Sequence, residues 1–440
     1  VQCVICNQQL AYNNNTSSML RHFRAKHDTS ARAAASSQDS RKDNIDEALV
    51  SMIVKDLQPF SIVDDKGFRA FISLLDPTYV LPSRLALKSM VDARYKREKE
   101  KAKEIIQKAP AVSLTSDMWT SIHMDAYLAI NCHFINESDE LTSMLLTVRS
   151  FPENHTAANI AKVLATLMEE WNIQSKLMCL VTDGAANMLA CANNLDARHI
   201  HCIAHALNLV VRKALDLTPG LEDMRGKARK VAAYFRTSTL ARERLLFLQR
   251  QMQAVAPVHK LIQEVDTRWN STFDMLSRLY EQREPVSAAL ASLHTDVAPL
   301  TSAEYDAISE CLEVLSPLKE ATVELSAEKS VSGSKVIPLI RMLRHSITSK
   351  LRHVRGVVAS KLCGNIVQLM NEKLSHYETA SQHSLATLLD PRFKVMGFCN
   401  ATNSETAVKR LTAKCATLLR NSSTTLDPPQ PAASSSAESS

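Results

Sequence analysis

The stretch S-L-T-S-D-M-W-T-S (residues 113–121), read with L-V-T-D-G-A-A-N-M (residues 180–188), decides the fold. In each, a short β-prone run ends near an aspartate: residues 112–115 lead to Asp117, and residues 177–182 stop at Asp183-Gly184. Residues 127–135 and 144–151 are further β-prone runs, and residues 156–171 have helical spacing. Three strands, a helix and a strand predict an α/β layer with a mixed sheet. An Asp-Gly pair after a strand is commonly a turn. By spacing alone, then, the two aspartates are a weak sign of chemistry.

Upstream, residues 45–108 carry helical periodicity. Leu49, Met52, Ile53 and Leu57 fall on one face, Phe68, Phe71, Ile72 and Leu75 on the next, and residues 85–106 form a long charge-laced helix. Downstream, residues 204–394 read as almost continuously helical. The tail at 421–440 is Ser/Pro/Ala-rich and too polar to bury a core. The expected divisions are a metal-binding unit at 1–28, a flexible linker at 29–44, a helical domain at 45–109, an α/β core at 110–215, a helical insertion at 216–400 and a mostly disordered linker at 401–440. The fold class is α+β and multidomain.

The 440 residues are 45% apolar and 22% charged, as in ordinary globular proteins. No apolar run is long enough to cross a membrane, and the N-terminus lacks a signal-peptide pattern. A cytosolic or nuclear protein is expected. The excess of 52 basic over 46 acidic residues permits nucleic-acid contact without arguing for it. The most basic run, R-Y-K-R-E-K-E-K-A-K (94–103), could track phosphates or act as a weak nuclear-import signal. Interleaved Glu98, Glu100 and Glu104 favour a solvated, paired helix face. The ten cysteines are scattered apart from Cys3 and Cys6, and most read as buried thiols rather than disulfides.

Cys3, Cys6, His22 and His27 stand as C-x2-C-x15-H-x4-H. Zinc takes four N/S ligands in a tetrahedron, and a C-x2-C knuckle followed by two histidines near a helix end supplies them. Leu20 and Phe23 between the ligands would form a small core. A unit this small needs the metal to fold. Arg21, Arg24 and Lys26, with residues 13–18 at the helix start, could contact phosphates or base edges in a major groove; a protein-binding or purely structural finger is the alternative. Val at position 1, two residues before Cys3, suggests a sequence that starts close to the edge of its first domain.

The finger, with M-L-R-H-F-R-A-K-H (19–27), resembles a BED-type zinc finger, a DNA-binding module of chromatin proteins and transposases. Residues 113–121, Y-L-A-I-N-C-H-F-I (127–135), V-T-D-G-A-A-N-M (181–188) and H-C-I-A-H-A-L-N-L-V-V (201–211) resemble the RNase H-like core of hAT transposases and their domesticated BED-finger relatives. Residues 58–69, D-T-R-W-N-S-T (266–272) and A-T-L-L-D-P-R-F-K (386–394) are similar to that family's helical regions. The resemblance implies that Asp117 and Asp183 match the first two acids of a Mg²⁺-binding catalytic triad. It places Cys202 and His205 in a C-x2-H motif near the site, without a metal of their own. It also places Arg268 and Trp269 in an Arg-Trp pair that handles DNA, with core anchoring as the alternative for Trp269. The family's third acid, a glutamate in a C-terminal dimerisation segment, has no counterpart in these 440 residues.

The expectation is therefore a nuclear, zinc-dependent DNA-binding regulator domesticated from a transposase, not an enzyme in this form. Homo-oligomerisation would use a segment beyond residue 440. A fragment of an active transposase, or an interaction scaffold without DNA affinity, are the other readings.

Overall fold

A computed structural model describes residues 2–3, 6–10, 17–26, 29–252, 257–327 and 331–423. The chain divides into two compact units, residues 1–107 and 108–440.

The first unit opens with a tight turn, in which Cys3 N–H donates to the Gln8 carbonyl and Asn7 N–H to the Cys3 carbonyl. Four helices follow: α1 (Ser17–Lys26), α2 (Thr29–Asp56), α3 (Lys66–Leu75) and α4 (Arg84–Lys108). Leu49, Val50 and Ile53 of α2 pack with Val63 and with Leu87 of α4. Asp46 accepts a 2.5 Å hydrogen bond from the Tyr79 hydroxyl, and Arg41 pairs with Asp76 at 2.9 Å. The flexible linker expected at 29–44 is corrected: the helix begins at Thr29. Its early residues include Ala31, Ala33, Ala34 and Ala35 with no Gly or Pro, a composition that sustains a helix once the apolar face from Leu49 anchors it.

The second unit contains a five-stranded sheet in the order β3-β2-β1-β4-β5, with β1 at Val112–Thr120, β2 at Ala126–Ile135, β3 at Leu141–Ser150, β4 at Leu177–Thr182 and β5 at His199–His201. The β1–β2 and β2–β3 pairs are antiparallel, and β1–β4 and β4–β5 are parallel. This is the expected mixed sheet. One face is buried and mostly apolar: Leu114, Leu128, Ile130 and Cys132 are inaccessible, Leu180 and Phe134 nearly so, and Ser116 and Thr182 are its buried polar members. That alternation is why the runs are strands. Helix α5 (Ala157–Glu170), capped by the Thr156 hydroxyl, and α6 (Ala186–Asn194) form the crossovers on either side of β4. The short β5 edge went unforeseen, because three residues carry no readable period.

From Ile203 onward the elements among the described residues are all helices. They comprise α7 (Ile203–Asp216), α8 (Pro219–Thr237), α9 (Thr239–Met252), α10 (Trp269–Glu281), α11 (Arg283–Ser292), α12 (Ser302–Leu325), α13 (Val336–His353), α14 (Val357–Leu374), α15 (His376–Thr379), α16 (Ser381–Leu389) and α17 (Ala401–Ser423). One continuous core runs through α7 to α15, from Val210 and Val211 to Ile308, Leu315, Leu362 and Met370, and a smaller cluster joins Ile337 to Phe398 and to Ala407 of α17. Asn365 of α14 ties into the α7–α8 turn, donating to the Leu217 carbonyl and the Thr218 hydroxyl at 3.0 Å. The linker expected at 401–440 is corrected over its first half. There α17 starts with the Asn400 side chain accepting from Thr402 N–H, and it buries Ala407. Residues 424–440 lie outside the described residues.

Cys132, Cys191, Cys311 and Cys363 are buried thiols outside any disulfide. Burial pushes the Cys311 thiol up to about 12 and that of Cys132 up to about 11, which makes them inert packing groups.

Candidate functional site

The C-x2-C turn and α1 bring three donors together. The sulfurs of Cys3 and Cys6 and one His22 ring nitrogen all lie within 4.8 Å of one another, and Cys6 Sγ is 3.2 Å from His22 Nε2. Ligands on one tetrahedral zinc ion, at Zn–S and Zn–N lengths of about 2.3 and 2.0 Å, sit about 3.5 Å apart. The donor set therefore fits that metal in chemistry and spacing. Among the described residues it is the only such cluster of His, Cys, Asp or Glu. His27, the expected fourth ligand, lies outside the described residues. Arg21 and Lys26 are exposed on α1; the side chain of Arg24 is not described. Leu20 and Phe23 do not form the expected enclosed core: they are 51% and 47% exposed. Ten helical residues and a turn have too little surface to enclose them.

Asp117 lies within β1, and Asp183 follows the last residue of the neighbouring strand β4. The parallel β1–β4 register pairs Leu114 with Leu180 and Thr115 with Val181. Asp117 lies two residues beyond the last paired position of β1, on the face opposite Leu114, and Asp183 lies two beyond that of β4, in the turn after the strand. Asp117 is exposed and Asp183 half-buried. The Asp183 carboxylate accepts from Ala185 N–H at 3.0 Å, which fixes the turn that ends β4. No third His, Cys, Asp or Glu completes a cluster with them among the described residues.

Behind this turn lies a group the sequence reading missed. Gly184 has φ +81, and a Cβ there would strike the His201 ring. His201 stacks edge-on with His199 at 4.7 Å and approaches His376 of α15 at 6.2 Å. The His376 ring lies 4.3 Å from that of Tyr377, whose hydroxyl donates to the His201 carbonyl at 3.3 Å. His199 Nε2 is 2.8 Å from the Thr182 hydroxyl. Burial, then the neighbouring His201, holds both His199 and His376 below the ordinary imidazole value, although Asp183 pulls His199 the other way. The signal was present as H-I-H in β5 and H-Y in α15, but nothing in the spacing joins residues 175 positions apart.

Cys202 precedes α7 and His205 lies in its first turn, both half-buried and outside any metal-type cluster among the described residues. Arg268 is exposed at the start of α10. Trp269 corrects the expectation of a DNA contact. It is 1% exposed, lies within the helical core and meets Phe273 at 6.4 Å. An indole closed in this way has no face free for a base. The basic run of α4 is paired, with Glu98–Lys101 at 3.1 Å, Glu100–Lys103 at 3.0 Å, and Arg94 and Arg97 each 3.2 Å from Glu47. No helix among the described residues is long and apolar enough to cross a membrane.

Comparison with known proteins agrees with this layout. Residues 1–28 match the BED zinc finger, residues 115–204 the ZBED1 RNase-like domain and residues 200–314 the ZBED1 RNase-like helical domain. The human "Zinc finger BED domain-containing protein 4" is 29% identical over 370 residues, covering 80% of this chain and 31% of the relative. "Putative transcriptional regulator tpeD" of Talaromyces stipitatus is 25% identical over 403 residues, covering 80% and 44%. "Putative AC transposase" of Zea mays is 25% identical over 361 residues, covering 76% and 43%. The chain thus spans less than half the length of each of these relatives. It carries a BED zinc finger followed by RNase-like and helical domains of the ZBED1 type, and its homologues are zinc finger BED domain-containing proteins and hAT-type transposases.

Proposed function

We propose that this chain is a nuclear, zinc-dependent DNA-binding regulator that reads DNA through its finger, with the RNase-like and helical body as a scaffold. The observation that carries this reading is the preassembled Cys3–Cys6–His22 donor set, within the segment matching a BED zinc finger. Zinc held there by Cys3, Cys6, His22 and His27 would cross-link the turn to α1. Arg21 and Lys26, exposed on that helix, are then positioned for phosphates or base edges. The relative named as a transcriptional regulator supports the regulatory role, and the nuclear site follows from it.

The test is selection of the zinc-loaded chain against a random duplex library over a salt series, beside Cys6→Ser. A short motif enriched by the parent and lost by the variant is the expected result. Weak binding that ignores the substitution would overturn the reading.

A second reading is favoured by the place of Asp117 on β1 and of Asp183 just past the end of the neighbouring strand β4. Two carboxylates on adjacent strands are suited to holding Mg²⁺ for phosphodiester cleavage, and one relative is named as a transposase. Mg²⁺-dependent nicking of duplex DNA, abolished by Asp183→Asn, would support it; no nicking by the chain would count against it.

A further inference from the structure

Helix α13 differs from every other charged surface described above. Across Val336–His353 it contains Arg341, Arg344, Lys350 and Arg352 and not one acidic residue. Its exposed row runs Arg341, His345 and Arg352 at helical spacing, and Arg355 is exposed just past its end. Helix α4 pairs its basic residues with glutamates, whereas Arg352 and Arg355 make no ion pair among the described residues. Beside the N-terminal half of this row is a cleft of about 620 Å³, closed on its other side by the D-P-R-F-K turn (390–394). Its walls are apolar: Met342 is 66% exposed, Met396 79%, and Phe393 is half-buried between them. Arg341, donating to the Met396 carbonyl, and Arg392, paired with Asp390 at 2.6 Å, mark its rim. The carboxylates that bear on Arg392 are each paired: Asp390 with Arg392 itself, and Glu324 with Lys335.

We propose that this cleft is a docking site for an acidic amphipathic helix of a partner protein. Charge complementarity fixes the sign of the partner's flanks. The apolar walls call for leucine-like side chains at i, i+3/i+4 and i+7, the spacing by which a helix fills a groove. The flexible thioethers of Met342 and Met396 suit such a surface, since they repack around different side chains. A phosphate backbone would use the arginines alone and leave the cleft walls wet, so nucleic acid is the poorer match. The proposal is independent of what the finger binds.

The test uses the full chain and a fluorescein-labelled 15-residue helical peptide, with leucines along one stripe and glutamates flanking it. Two control peptides replace either the leucines by serine or the glutamates by lysine. Anisotropy should show saturable binding of the first peptide, weakened at least about tenfold in each control. Met342→Asp and Arg352→Glu should each weaken it about tenfold or more. Arg352 stands away from the cleft wall, and unchanged circular dichroism melts verify that both variants fold. Equal affinity for the serine control would reduce the contact to diffuse charge attraction and overturn the proposal. So would binding indifferent to both substitutions, or a labelled duplex that competes the peptide off through the same arginines.

Discussion

At the scale of single residues, the turn after β4 rests on one glycine. Gly184 combines a left-handed backbone with the packed ring of His201, so a side chain there meets both backbone strain and a clash. Gly184→Ala should cost about 2–3 kcal/mol in urea unfolding. Adding His201→Ala should recover part of that loss by removing the ring but not the strain. A double variant no more stable than Gly184→Ala would show that the ring is not what excludes the side chain. The imidazoles behind the turn set a pH dependence. His199, His376 and His383 are all held below the ordinary value of 6.5, chiefly by burial, so the unfolded chain takes up their protons first. Their stabilisation is complete above pH 6.5 and is lost as pH falls from there toward the folded values. The urea midpoint should be level above about pH 7 and drop toward about pH 5, less steeply in His383→Gln. A midpoint flat over that range would remove these histidines from the account.

At the scale of elements, α12 and α10 make contrasting cases. Helix α12 opens with a reciprocal cap: the Thr301 hydroxyl accepts from Glu304 N–H, and the Glu304 carboxylate accepts from Thr301 N–H at 2.8 Å. Thr301→Ala should lower stability by about 1 kcal/mol, seen as a shift of the urea midpoint at unchanged slope. Trp269 of α10 is a packing residue, so Trp269→Ala should cost about 3–5 kcal/mol and leave DNA affinity of the folded fraction intact. Lost affinity at full stability would restore it to the DNA surface. These elements also show what the sequence could convey. The strands with Leu114, Leu128 and Leu180 were legible because alternation is local. The helix at Thr29 was not, since a polar Ala/Ser stretch is as compatible with coil as with helix until its neighbours are placed. Trp269 was ambiguous for the same reason: an Arg-Trp pair at a helix start does not say which way the ring turns. The cluster of His199, His201 and His376 needs a contact across 175 residues, which no window on the chain contains.

At the scale of the whole molecule, stability divides as the chain does. The helices of the second unit share a large apolar core that includes Leu276, Ile308, Leu315 and Leu362. The finger is the opposite case. Its apolar side chains Met19, Leu20 and Phe23 are each more than a third exposed, so burial contributes little, and its described order centres on the Cys3–Cys6 turn and the approach of His22. Removing zinc with a strong chelator should therefore act on one end of the chain. Hydrogen exchange should become fast over residues 2–26, where metal-bound protein is protected, and duplex affinity should fall. The thermal transition of residues 108–440 should stay where it was, because no donor group in that unit forms a metal-type cluster among the described residues. Readdition of zinc should restore both protection and affinity, and Cys6→Ser should reproduce the chelated state without chelator. If protection of residues 2–26 survived chelation, the donor set would be a packing arrangement rather than a metal site, and DNA recognition would have to be sought elsewhere in the molecule.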